Sequence, residues 1–181
     1  QTALVRFLSS LHLYRPLKGA ADRLAALSPA HAKRERAMRD FYGRFVREGD
    51  LVFDVGANEG NRTVIFRALG AKVVAVDPQP SCIRILTKKY GDDPNVIIKA
   101  TALGESEGEA ELLISNASTI SSLSRDWIDS VRKSGRFSSY RWDRAVTVPV
   151  TTIDALISEY GVPAFAKIDV EGFELPVLRG L

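Results

Sequence analysis

Residues 51–60 read LVFDVGANEG, an apolar run that breaks into a carboxylate and then a turn with two glycines and an asparagine. LVFDV is apolar apart from Asp54, the pattern of a strand covered by helices on both sheet faces. Gly56 and Gly60 let the backbone pass close to a ligand, and Asn58 tolerates left-handed geometry. A helix starting near Asn61 would aim backbone N–H groups and its positive dipole end at this turn, favouring an anion there. The spacing is not GxGxxG. Asn58 stands where the middle glycine of a dinucleotide turn would admit a pyrophosphate, and no GxxxxGK[ST] follows any strand.

Outward from this turn the pattern alternates. RTVIFRALG (62–70) predicts a helix burying Val64, Ile65, Ala68 and Leu69 and stopped by Gly70. KVVAVD (72–77) predicts a second buried strand ended by Pro78, PSCIRILTKKY (80–90) a helix opened by proline, and NVIIKA (95–100) a third strand. EAELLIS (109–115) and AVTVPV (145–150) read as strands, with Pro149 arguing for an edge. Between them lies a polar irregular stretch that carries Ser121, Ser122, Trp127, Phe137, Tyr140 and Trp142. TTIDALISEYGVP (151–163) predicts a helix capped by Thr151 and Asp154, AFAKIDV (164–170) a fourth buried strand, and FELPVLRGL (173–181) a further helix.

Strand–helix alternation with short connections implies an α/β fold with a mostly parallel sheet and right-handed crossovers. Ligands of such sheets sit beyond the carboxyl ends of the strands, where strand order reverses. Asp54, Asp77 and Asp169 end strands one, two and four, so three carboxylates are expected at one rim. Asp77 follows Asp54 by 23 positions, near the spacing of a ribose-binding acid. An adenosine ligand without a phosphate fits this turn, which favours S-adenosylmethionine over a nicotinamide dinucleotide.

Composition bounds the rest. With 45% hydrophobic and 26% charged residues, the 181-residue chain is an ordinary globular one. Residues 1–50 hold ten Lys or Arg against five Asp or Glu, and the remainder holds 15 against 17, so the basic surplus is N-terminal. The Lys33, Arg34, Arg36, Arg39, Arg44 and Arg47 cluster could face an acidic partner. Without interleaved aromatics it reads more simply as a solvated helix face. Residues 1–48 read as helices broken at Pro16 and near Ser28-Pro29, and 49–181 as the ligand-binding domain. No run is long enough to span a bilayer. The single cysteine, Cys82, fits a small buried apolar residue in a reducing compartment, so a cytoplasmic location is expected. His12 and His31 lie outside the rim segments.

Five segments in order, GDLVFDVGANEGNRT, VVAVDPQP, TALGESEG, TTID and KIDVEGFELPVLRGL, together resemble the FkbM family of S-adenosylmethionine-dependent methyltransferases over roughly residues 40 to 181. DFYGRFVREGD ahead of strand one resembles it too. The resemblance implies a class I, Rossmann-like methyltransferase acting on a hydroxyl of a sugar, glycan or natural product. Carried over by position, Asp54, Gly56, Ala57, Asn58 and Gly60 would line the methionine end of the cofactor. Asp77, with Pro78 after it, would hold the ribose, and Ala102 and Leu103 would flank the adenine. Asp169 and Glu171 would face the methyl group or the acceptor. Family members continue for several strands beyond LPVLRGL, so the resemblance also implies missing C-terminal strands and an open sheet edge that a second copy could cover.

Methyl transfer from a sulfonium needs alignment and exclusion of water, and a carboxylate base can add roughly 100 to 10,000-fold for a hydroxyl acceptor. Asp169 is the first candidate base and Glu171 the second. Asp169 could instead orient the cofactor's ammonium group, and Glu171 could pair with Lys167 or cap the next helix. Magnesium on Asp169, Glu171 and the Asn58 amide is a competing scheme, but no third carboxylate is assured and no metal is expected. The aromatics of 116–144 could stack on a sugar or simply anchor their segment. An inactive cofactor-binding module that acts through protein interaction is the alternative function. A nucleic-acid acceptor is not expected, because strand four runs into DVEG rather than [DNS]PP[YF].

Overall fold

The computed structural model describes residues 28–135 and 139–181. The readings on His12, Pro16, Phe137 and the first 27 residues fall outside them. The chain divides into two units, Gln1–Phe41 and Tyr42–Leu181. Helix α1 (Pro29–Tyr42) opens at its proline, as expected, and Lys33, Arg34, Arg36 and Arg39 on it are exposed. No helix among the described residues is long and apolar enough to cross a membrane.

In the second unit, β1 (Leu51–Val55), β2 (Lys72–Val76), β3 (Val96–Lys99) and β7 (Phe165–Ile168) form one all-parallel sheet in the order β3-β2-β1-β7. The chain therefore turns one way from β1 to β2 and the other way to β7, which places the reversal point at the carboxyl ends of β1 and β7. Side chains alternate across this sheet. Val52, Val73 and Ala75 join Phe66 and Leu86 on one face, and Phe53, Val55, Val74 and Val76 join Ile153, Leu156 and Val177 on the other. Two cores explain why strands β1 and β2 read as continuous apolar runs. Helices α2 (Thr63–Ala68) and α3 (Pro80–Tyr90) cover the first face, and α5 (Ile153–Tyr160) and α6 (Glu174–Leu178) cover the second.

A smaller sheet follows, with β4 (Ala102–Leu103), β6 (Trp142–Thr151) and β5 (Gly108–Ser115) in the order β4-β6-β5. Pro149 thus lies on the central strand, not an edge. Its carbonyl faces β4 and accepts from Thr101 Oγ1 at 3.0 Å, while β4 begins pairing only at Val150. The missing N–H therefore points where the ladder has not yet started, and the β5 side loses nothing.

Four further expectations are corrected. Helix α2 buries Thr63, Ile65 and Phe66 and leaves Val64 and Ala68 exposed, because the face beneath it is filled by the Phe66 ring against Tyr42 and Phe165. The stretch after β5 is not irregular throughout: it holds a 3-10 turn (Ser118–Ile120) and helix α4 (Arg125–Lys133), capped by Ser124, whose Oγ accepts from Trp127 N–H. Strand β7 is half-exposed rather than buried, since only β1 pairs with it among the described residues. Thr152 caps α5, accepting from Ala155 N–H at 3.1 Å, while Thr151 ends β6. Thr152→Ala is expected to cost about 1 kcal/mol, read as a lower urea midpoint. An unchanged midpoint would show that water replaces the cap.

Candidate functional site

The rim carboxylates occupy three different depths. Asp54 is the fourth residue of β1 and is fully buried. Asp77 follows β2 and is 6% exposed. The Asp169 side chain, just beyond β7, is 62% exposed. Only the last is largely open to solvent.

Asp54 lies directly beside Lys167 in the β1–β7 register. Its Oδ2 accepts from Thr63 Oγ1 at 2.7 Å, which ties the strand to the first turn of α2. Its Oδ1 has Lys167 Nζ at 3.3 Å but makes no hydrogen bond. Lys167 spends its protons elsewhere, donating to the carbonyls of Gly56 (2.7 Å) and Val55 (3.1 Å), and it lies 3.7 Å from Asp169 Oδ2. This ammonium, on a side chain only 11% exposed, is the hub that joins β1, the glycine turn and the β7 loop. A charged lysine in an otherwise apolar strand is the sequence signal for it, since ions enter such positions only when paired.

The turn after β1 satisfies itself. Gly56 and Ala57 donate to the Val76 carbonyl, Asn58 N–H donates to Asp77 Oδ2 at 2.8 Å, Glu59 N–H to Asn58 Oδ1, and Gly60 N–H to the Ala57 carbonyl. The N–H groups of residues 56–60 are thus engaged by the protein's own carbonyls, the Asn58 amide oxygen and the Asp77 carboxylate, so they are not donors for an anion. Gly56 is required by contact as well as by its φ of 71°: a Cβ there would overlap the Asp169 carbonyl oxygen. Asn58 adopts the left-handed region with φ 51°.

Asp77 accepts from Asn58 N–H and, through Oδ1, from Gln79 N–H. Burial pushes its carboxyl above the ordinary value, and those two hydrogen bonds oppose the shift. Each oxygen keeps one lone pair for a further donor. Pro78 is half-buried beside it. Ala102 and Leu103 form β4, with their side chains buried in separate cores, so they offer a ligand only backbone.

The loop after β7 is locked by α6. Glu174 accepts from Val170 N–H (3.1 Å) and Gly172 N–H (3.1 Å), which holds the loop, while no side chain among the described residues, that of Glu171 included, caps α6. Glu171 is left with a left-handed backbone, φ 51°, and a half-buried carboxylate. Its carboxyl is pushed up to about 7, first by burial, then by the negative charges of Asp169 and Glu174, with Lys167 opposing. Asp169 is the carboxylate that pairs with Lys167. Trp142 is buried, its Nε1 donating to the Ile120 carbonyl, and so anchors its own segment. Trp127 meets it edge-on at 6.4 Å and packs over Gly172, where a Cβ would overlap the indole.

A family model described as the Methyltransferase FkbM domain matches residues 54–181. The chain belongs to this family. Its Rossmann-like fold is thereby accounted for, and S-adenosylmethionine is its cofactor. Solved structures similar to parts of this FkbM-family chain include a Clostridium thermocellum protein assigned as an rRNA methylase, at 29% identity and TM-score 0.33 over 36% of this chain and 39% of that one. A Streptococcus mutans protein assigned as a methyltransferase, in complex with SAH, aligns at 23% identity and TM-score 0.34 over 37% and 39%. The Burkholderia thailandensis 1,6-didemethyltoxoflavin-N1-methyltransferase aligns at 23% identity and TM-score 0.29 over 61% and 47%. The chain spans less than half the length of each. No curated protein matches it.

Proposed function

We propose that this domain transfers a methyl group from S-adenosylmethionine to a hydroxyl of a sugar, glycan or natural product, with Glu171 as the base. The observation that carries this reading is the Glu171 carboxylate: it sits on the loop beyond β7, at the reversal point of the sheet, with its carboxyl raised to about 7. A base whose pKa lies near the working pH is both ionised and basic enough to take a hydroxyl proton. Asp169, paired with Lys167 and largely solvated, suits orientation of a ligand better than proton abstraction.

For the cofactor, the buried Asp54 Oδ1 has no hydrogen bond and can take a further N–H donor such as the ammonium of a methionine end. The unspent lone pairs of Asp77 suit ribose hydroxyls, with Gly56, Ala57, Asn58 and Gly60 shaping the turn beside it. When bound, S-adenosylmethionine supplies an electrophilic methyl group. Lys167 holds the turn in place through two carbonyls, and Glu171 accepts the proton that the acceptor hydroxyl loses.

The test is calorimetric titration with S-adenosylhomocysteine followed by mass spectrometry of a panel of sugars, glycans and polyketide-like alcohols. A gain of one methyl on oxygen is expected. Cofactor binding with no methylation of any hydroxyl would instead support the interaction module, and methylation on nitrogen would overturn the acceptor class.

The pH dependence follows from the raised carboxyl. A base works only when deprotonated, so turnover should fall about tenfold per pH unit on the acid side of about 7 and level off above it. The stability that this group contributes has the opposite sense. It is fully present below the ordinary value of 4.5 and is lost as pH rises through about 7, because the folded state binds the proton more tightly. A rate profile flat from pH 5.5 to 8.5 would remove Glu171 as the base.

A further inference from the structure

We propose that Ser122, in the segment after β5, is the positioning residue that holds Glu171 in its left-handed backbone and so sets the placement of its carboxylate; this rests on Glu171 being the base. Ser122 is 1% exposed and donates from Oγ to the Glu171 carbonyl at 2.7 Å, across 49 positions of sequence. Non-glycine residues with positive φ carry strain and persist only where their surroundings over-determine them. Glu171 is a β-unbranched acid with φ 51°, followed by Gly172 with φ 89°.

Three contacts impose that conformation. Glu174 gathers the N–H groups on either side of Glu171, those of Val170 and Gly172. The Trp127 ring lies over Gly172 from α4. Among the described residues, Ser122 is the one that donates to the carbonyl of Glu171 itself. It is rigidly placed to do so, because its backbone exchanges both hydrogen bonds with Leu113 of β5 (3.0 and 3.1 Å), and its Oγ also accepts from Ser124 N–H at 2.9 Å. The small mixed sheet thus reaches the β7 loop through one hydroxyl.

Without that hydroxyl the Glu171 peptide can rotate toward an ordinary φ, and its carboxylate leaves the half-buried setting among Asp169, Glu174 and Lys167. The expected consequences in Ser122→Ala are a loss of at least about tenfold in kcat and a fall of the Glu171 carboxyl titration toward the ordinary carboxylate range. Affinity for S-adenosylhomocysteine should stay within about twofold, since Ser122 touches none of the cofactor-side residues. A purely structural serine would lower the melting temperature and leave the titration in place.

The experiment is a carbon-13 carboxyl NMR titration of Glu171 in wild type, Ser122→Ala and Ser122→Cys, with kcat measured alongside. Cysteine is close in size to serine and only a weak donor, so it should shift the titration in the same direction and keeps the test open if the alanine variant does not fold. A Glu171 titration at the wild-type position in both variants overturns the proposal. A wild-type protein that binds S-adenosylhomocysteine but methylates no hydroxyl sinks the functional reading instead, and the titration still decides what Ser122 does.

Discussion

Lys167→Met is expected to destabilise the domain by about 3–5 kcal/mol, the range for removing one partner from a buried ion pair. The substitution strands the fully buried Asp54 carboxylate and frees the carbonyls of Val55 and Gly56 that Lys167 now holds. Against a typical stability of about 5–15 kcal/mol that is a large share, so the urea midpoint should fall steeply. Asp54→Asn in the same chain should recover a portion, since it removes the uncompensated charge while keeping an acceptor for Thr63 Oγ1. Urea unfolding of the four proteins of the cycle measures this coupling, which should lie between roughly 0.5 and 3 kcal/mol. Strict additivity would show that the two side chains are neighbours without being partners. In the folded fraction of Lys167→Met, S-adenosylhomocysteine should bind more weakly, because the turn is no longer clamped from below.

Glu171→Gln should lower kcat by roughly 100 to 10,000-fold while leaving cofactor affinity nearly unchanged. Glutamine keeps the shape and cannot take a proton, so the loss isolates proton abstraction from packing. It also relieves the repulsion from Asp169 and Glu174 that raises the carboxyl, so the variant should be no less stable than wild type above pH 7. Asp169→Asn removes the pairing with Lys167 and should act mainly on substrate or cofactor affinity. Steady-state kinetics of the two variants separate the roles. A larger kcat loss in Asp169→Asn than in Glu171→Gln would move the base to Asp169.

Much of the parallel sheet was legible in advance. LVFDV, KVVAV and VIIK carry the apolar density of doubly covered strands, and proline at position 80 marked the start of α3 to the residue. Helix α4 was readable too, from Ser124 as cap, Asp126 in the first turn and Arg132 and Lys133 in the last, but its strongly polar surroundings read as loop. Pro149 misled because the rule about proline concerns one side of a strand, and the side in question was decided by where β4 begins. The misplacement of Val64 has the same origin: helix periodicity proposes two neighbouring faces, and the Phe66 ring took the one above the sheet.

The sequence by itself determined the four parallel strands and the helices between them, the glycine turn after β1 and membership in the FkbM methyltransferase family, because these are written in periodicity, turn chemistry and short motifs. Only the tertiary structure decided what each rim carboxylate does. Asp54 is neutralised by a lysine more than a hundred residues away, Asp77 braces its own turn with one lone pair of each oxygen, Asp169 faces solvent and the Glu171 carbonyl accepts from a serine bridged to the smaller sheet. Those assignments depend on strand register and on burial, and both are set by contacts between segments remote in the chain. Four carboxylates alike in sequence thus became four different chemical groups.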